Sequence, residues 1–130
     1  MTGFGDIMLP SMMAGFTGTI TGTANVAPLV CAHLYHMIAS ALKTQDFARM
    51  SEAQKLSQIV AAADWCMVKG GISGTKWALG RYYYDFGNPR EPLQPCSEAN
   101  SAMLETGLAE LMVLERELER KSGAAQVALA

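Results

Sequence analysis

The sequence predicts an α/β fold, mostly helical by residue count and organised like the end of an α/β barrel. Three observations carry this. A short β-branched segment, Thr19-Ile20-Thr21, lies between glycines and runs directly into Asn25 and a proline-started apolar stretch, the order of a buried strand, a tight turn and a helix packed over the strand. A strand-like tail at residues 1–5 and a short apolar helix precede it, so strand and helix alternate twice before three further helices follow. The third observation is charge: Asp6 is the only Asp, Glu, Lys or Arg in residues 1–42, whereas residues 97–121 hold nine of the 22. A segment so uncharged belongs to an interior.

The elements follow in order. Asp6 is placed to N-cap a helix over residues 7–14 that contains Pro10 and ends at Gly15. From Asn25, with Pro28 in the first turn, Val30, Leu34, Ile38 and Leu42 recur every four residues and define one helix face. Thr44 is the expected N-cap of a helix over residues 45–68 with Phe47, Met50, Leu56, Ile59, Val60, Ala63 and Met67 inward, closed by Lys69-Gly70-Gly71. A helix over residues 73–84 stops at Phe86-Gly87-Asn88-Pro89. Pro92 and Pro95 force an extended connector. Ser97 caps a long last helix with Leu104, Leu108, Leu111, Leu114 and Leu118 inward; Gly123 is expected to end it and the tail to Ala130 to fray.

Composition excludes several function classes. One domain is the most that 130 residues allow. A net charge of −2, with ten scattered basic residues, argues against a nucleic-acid partner, because phosphate binding needs clustered Lys and Arg. Cys31, Cys66 and Cys96 are odd in number and form no Cys-x-x-Cys pair, which points to a reducing, cytoplasmic setting. No signal peptide is visible. The uncharged run over residues 26–42 is interrupted by Pro28, His33 and His36 and is too short and polar to span a bilayer.

Tempting constellations give way to plainer readings. His33 and His36 share a helix face, but Cys31 points elsewhere and no Asp or Glu completes a metal site. Gly15, Gly18 and Gly22 lack the Gly-Lys-Ser/Thr of a phosphate loop and suit close strand–helix packing instead. Trp77 and Tyr82-Tyr83-Tyr84 without a basic groove belong to core and subunit contacts, their hydroxyls finding partners at the rim. Glu115, Arg116, Glu117, Glu119, Arg120 and Lys121 read as a solvated face laced with i,i+4 pairs. None of Lys43, Lys55, Lys69, Lys76 and Lys121 lies on a predicted strand, where a desolvated Schiff-base lysine is expected. No nucleophile set and no cofactor motif is present in the pattern.

Gly3-Phe4-Gly5-Asp6, Leu9-Pro10 and Gly15-x-x-Gly18-x-Ile20-x-Gly22-x-Ala24-Asn25-Val26-Ala27-Pro28 resemble the dihydrodipicolinate synthase/N-acetylneuraminate lyase family. Gly71-Ile72-Ser73-Gly74-Thr75-Lys76-Trp77-Ala78-Leu79 and Arg90-Glu91-Pro92-Leu93-Gln94-Pro95 resemble its closing helices. Around Gly74 and Leu93-Gln94 the likeness is greatest to the 4-hydroxy-2-oxoglutarate aldolase branch and fungal sugar-acid aldolases. Ser73 stands where family members often carry proline. The resemblance implies a (β/α)8 barrel in which a strand-6 lysine forms a Schiff base with pyruvate or another 2-oxo acid. A strand-5 tyrosine relays protons, and a loop after strand 2 holds the carboxylate. On this likeness residues 1–43 are strands 7 and 8 with their helices and residues 44–130 a C-terminal helical extension. Gly3, at the end of strand 7, and Ile20, in strand 8, would line the pocket through shape and backbone contacts. The resemblance also implies a homo-oligomer. Without the lysine and tyrosine the chain is expected to be inactive alone. The competing expectation is a non-enzymatic helical module that pairs with full-length subunits.

Overall fold

The computed structural model describes residues 1–128, with side chains described through residue 123. Helices dominate: α1 (Met8–Met13), a 3-10 turn at Gly22–Asn25, α2 (Pro28–Thr44), α3 (Phe47–Tyr82) and α4 (Glu98–Ala128). One hydrophobic core joins α1, α2, α3 and α4, with Leu34, Ile38, Leu104, Leu108 and Leu111 fully buried in it.

The two expected strands are reduced to a single parallel bridge between Thr2 and Thr19. Thr2 N–H donates to the Gly18 carbonyl at 3.0 Å, and Ile20 N–H donates to the Thr2 carbonyl at 2.9 Å. That alternation is the register of a parallel ladder, present for one rung only. Parallel strands extend when neighbours cover both edges and both faces, and among the described residues nothing adds a third strand. The two expected strands are thus present only as a one-rung backbone register and not as a sheet.

Local chemistry accounts for the helices, with corrections. Asp6 does not cap α1: the capping position falls on Ile7, with no side-chain bond. Gly15 follows the helix at φ +90°, a conformation that favours glycine. Pro28 sits at the first position of α2, where its missing N–H costs nothing. Val30, Leu34 and Ile38 are buried as their spacing predicts, while Leu42 is 40% exposed and Ala41 takes its place inside. Thr44 ends α2 instead of opening α3, its hydroxyl donating to the Ser40 carbonyl. Asp46 is the true cap of α3, accepting from Arg49 N–H at 3.0 Å, which moves the helix start by two residues.

α3 breaks where the glycines predict, at Gly71 (φ 60°, ψ −153°). Its buried stripe is Ala53, Ser57, Val60, Ala63, Asp64, Met67, Gly70, Gly74 and Ala78, smaller residues than those expected. Phe47 lies 88% exposed in the first turn of the helix that Asp46 caps. Small residues let α3 and α4 approach closely. A Cβ built on Gly74 would stand 2.9 Å from Leu104 Cδ1, and one on Gly107 would overlap Cys66 Sγ. Gly107→Val is therefore expected to cost about 2 kcal/mol in urea denaturation. Gly80→Ala, whose added Cβ meets only ordinary contact with Asp85 at 3.7 Å, is expected to be neutral or stabilising by up to about 1 kcal/mol through helix propensity.

Ser97 caps α4 as expected, its Oγ accepting from Asn100 N–H at 3.3 Å. Gly123 does not end the helix, which continues to Ala128; a helical glycine costs only about 1 kcal/mol relative to alanine. Residues 129–130 of the expected fraying tail lie outside the described residues. Among the described residues α4 shows no i,i+4 ion pair. The one ion pair among the described residues runs between helices, Arg81 to Glu105 at 2.8 Å with both side chains about half exposed, and exposed pairs of this kind contribute little. Arg116 instead lies 6.0 Å over the Tyr82 ring. Among the described residues no helix is long and apolar enough to cross a membrane.

Candidate functional site

The segments following Thr2 and Thr19 are held by one side chain. Asp64, from the middle of α3 and 2% exposed, accepts on Oδ2 from the amides of Gly5 at 3.1 Å and Asp6 at 3.4 Å. Its Oδ1 accepts from the hydroxyls of Thr21, at 2.8 Å, and Thr23. Four donors satisfy a carboxylate that burial would otherwise make very costly. Thr21 Oγ1 also accepts from Thr23 N–H at 3.3 Å, which starts the 3-10 turn. The Asn25 amide closes that turn on the Gly22 carbonyl at 2.9 Å. A single acid thus clamps both strand ends to the helical layer.

A second buried acid does the same for α2. Glu115 of α4 is fully buried and accepts from Leu29 N–H at 3.0 Å and Val30 N–H at 2.8 Å. Pro28 has no N–H, and Cys31 N–H finds the Ala27 carbonyl, so Glu115 satisfies the two amides of the first turn that have no partner within the helix. Its negative charge also suits the positive end of the helix dipole. The expectation of a solvated acidic face is therefore corrected at Glu115. Tyr83 completes the contact, its hydroxyl donating to the Val26 carbonyl at 2.6 Å. Burial pushes the Tyr83 phenol up, with Glu115 and Glu119 adding to the shift. Cys31 is pushed up to about 12 by burial, reinforced by the charges of Glu115 and Asp64, so its thiol is no nucleophile at neutral pH.

Just past the C-terminal ends of the two paired segments lies a cleft of about 420 Å³. Gly3, Phe4, Gly22 and Asn25 form one wall; Met67, Val68, Ile72, Thr75 and Lys76 of α3 form the other. Barrel enzymes keep their active sites at this end of their strands. Gly3 lines this cleft. Ile20 does not line the cleft and lies 72% exposed. By strand alternation it shares a face with Gly3, opposite that of Thr19 and Thr21. The structure brings the two together as register neighbours on one face. Thr2 Oγ1 and Asp6 Oδ1, beside them, are buried without a hydrogen-bond partner.

Lys76 ties the far end of α3 to the connector, its Nζ donating to the carbonyls of Phe86 at 3.0 Å and Gly87 at 3.4 Å. It also borders a neighbouring cleft of about 410 Å³ with Ser73, Trp77, Arg81 and Asn88. Among the described residues no group of three His, Cys, Asp or Glu side chains is arranged to hold a metal ion.

The profile of the dihydrodipicolinate synthetase family matches residues 1–111. The chain belongs to that family. Within it, the chain is 33% identical over 116 residues to an L-threo-3-deoxy-hexylosonate aldolase of Hypocrea jecorina, covering 89% of this chain and 35% of that protein. It is 36% identical over 114 residues to a probable mitochondrial 4-hydroxy-2-oxoglutarate aldolase of Emericella nidulans, covering 88% and 35%. The crystal structure of a dihydrodipicolinate synthase family protein from Coccidioides immitis superposes with a TM-score of 0.69 at 24% identity, over 88% of this chain and 37% of that one. The chain thus spans about a third of the length of these family members. The aldolase branch indicated by the Gly74 and Leu93-Gln94 neighbourhoods is the one these relatives represent.

Asp64 and Glu115 are the residues that sequence reasoning missed. An acid at a position where helix periodicity calls for an apolar residue was the available signal: Asp64 falls beside Val60, Ala63 and Met67, and Glu115 one turn beyond Leu111.

Proposed function

We propose that this chain is the closing third of a Schiff-base-forming 2-oxo-acid aldolase barrel. Residues 1–43 supply the last two βα units and residues 44–130 the helical extension over them. Gly3 and Ile20 contribute pocket wall, and the catalytic lysine and proton-relaying tyrosine come from chain outside these residues. The ligand class is the pyruvate-type 2-oxo acid and its aldol adducts, in keeping with the aldolases it is similar to. The complete assembly is a homo-oligomer.

One observation carries the reading: the one-rung parallel register of Thr2 and Thr19 with its outer face bare. Ile20 is 72% exposed on that face, whereas Thr21, on the helix-facing side of the same segment, is bonded to Asp64. A β-branched residue on an open parallel edge is what barrel closure would cover. Lys76, the one lysine at the cleft, is tethered to two carbonyls and lies on a helix with no strand beneath it, unlike a desolvated Schiff-base amine.

Incubation with pyruvate and borohydride, followed by mass spectrometry, tests the reading. The 130-residue chain alone is expected to give no covalent adduct. Co-expressed with the first two thirds of the Hypocrea jecorina aldolase, it is expected to co-purify and to restore trapping on that partner's lysine. An adduct on the 130-residue chain itself would overturn the proposal. A monodisperse chain that ignores the partner fragment would favour the helical interaction module.

A further inference from the structure

We propose that the aromatic pocket beside Tyr83 binds a quaternary ammonium cation, at a site separate from the strand-end cleft and independent of the aldolase reading. The pocket holds about 270 Å³ where the C-terminal end of α3 and the connector after it meet the first turn of α2 and the middle of α4. It shares only Asn25 with the strand-end cleft. Tyr83, Tyr84 and Phe86 line it and are all exposed, and the rings of Tyr84 and Phe86 lie 4.2 Å apart at 35°. Exposed rings present negative π faces that attract a cation. Glu115 and Glu119 of α4 also line the pocket, and no Lys, Arg or His does. Both carboxylates lie close enough to push the Tyr83 phenol up. Arg116, which acts on that phenol in the opposite sense, is drawn over the Tyr82 ring at 6.0 Å and does not line the pocket. Among the described residues Glu119 forms no ion pair, so its charge is left for a ligand. A primary ammonium is poorly served here, because it brings three N–H donors. The Glu115 oxygens are occupied by the amides of Leu29 and Val30, and the Tyr83 hydroxyl is turned to the Val26 carbonyl. A quaternary ammonium has no N–H to satisfy. Its methyl groups meet Leu29, Leu79 and the rings, and its charge meets the π faces and Glu119.

The test is a titration of the isotopically labelled 130-residue chain with choline and, separately, with the uncharged alcohol in which carbon replaces choline's nitrogen, followed by NMR. Saturable amide shifts at Leu29, Tyr83, Tyr84 and Phe86 are expected with choline, at least about tenfold tighter than with the alcohol. Choline's methyl signals are expected to move upfield under the ring currents. Glu119→Gln is expected to weaken choline about fivefold. Tyr84→Leu combined with Phe86→Leu, which keeps apolar bulk but removes the π faces, is expected to weaken it at least about tenfold. Phe86→Trp should hold choline at least as tightly, because tryptophan offers the strongest π face. All three substituted side chains are exposed, and urea midpoints identify any loss of fold. A short peptide carrying trimethyl-lysine, titrated alongside, separates the sources of the cation. Tighter binding than choline assigns the cation to another protein and weaker binding to a free small molecule, and either order supports the site. Absence of saturable shifts at these residues in the wild type would overturn the proposal. So would equal affinity for the uncharged alcohol, or unchanged choline affinity in the doubly substituted chain. None of these outcomes bears on the borohydride trapping, which tests the aldolase reading by itself.

Discussion

Replacing Asp64 with alanine is expected to lower the stability of the chain by about 3–5 kcal/mol, the range for breaking a buried charged network. The substitution strands four donors: the amides of Gly5 and Asp6 and the hydroxyls of Thr21 and Thr23. It also opens a void in the wall of α3. Asp64→Asn should cost far less, about 1–2 kcal/mol. The asparagine carbonyl oxygen can stay on the amides, which only donate. Its NH2 then turns to the two hydroxyls, which can rotate to accept. The order Ala far worse than Asn is the signature of this geometry. Urea denaturation gives both values, and hydrogen exchange at Gly5 and Asp6 reports the local release of the strand ends. An Asp64→Ala variant within about 1 kcal/mol of the parent would refute the clamp.

Glu115→Ala is the second large effect, expected at about 2–3 kcal/mol. It leaves Leu29 N–H and Val30 N–H without acceptors at a buried helix start and removes the charge that complements the helix dipole. Glu115→Gln keeps one acceptor oxygen and should lose about half as much. The effect belongs to the first turn of α2, so exchange at Leu29 and Val30 should quicken before that at Leu34 or Ile38. Equal loss across the whole helix, or none, would show that the cap is not what Glu115 provides.

Both acids explain what was legible in the sequence and what was not. The stripe Val30, Leu34 and Ile38, the Ser97 cap and the break at Gly71 follow from chemistry within four residues along the chain, and each stands in the structure. The Thr44 cap failed because α2 runs on through Thr44, and Asp46, two residues on, accepts from the Arg49 amide and opens α3. Phe47 failed because periodicity gives a helix face but not where along the helix a neighbour begins. The strand at Thr19–Thr21 is legible as register, yet its length depends on neighbouring strands that no local pattern supplies.

By itself the sequence determined the helices, their main apolar faces and, through the block from Gly15 to Pro28, the family. Tertiary structure alone decided what holds them together. Asp64 finds Gly5 59 residues away and Thr21 43 away, and Glu115 finds Val30 85 away. A buried carboxylate is stable only where several donors converge on it in space, and sequence spacing carries no record of that convergence. The same holds for the cleft: Gly3 and Lys76 face one cavity because Asp64 draws the strand ends onto α3.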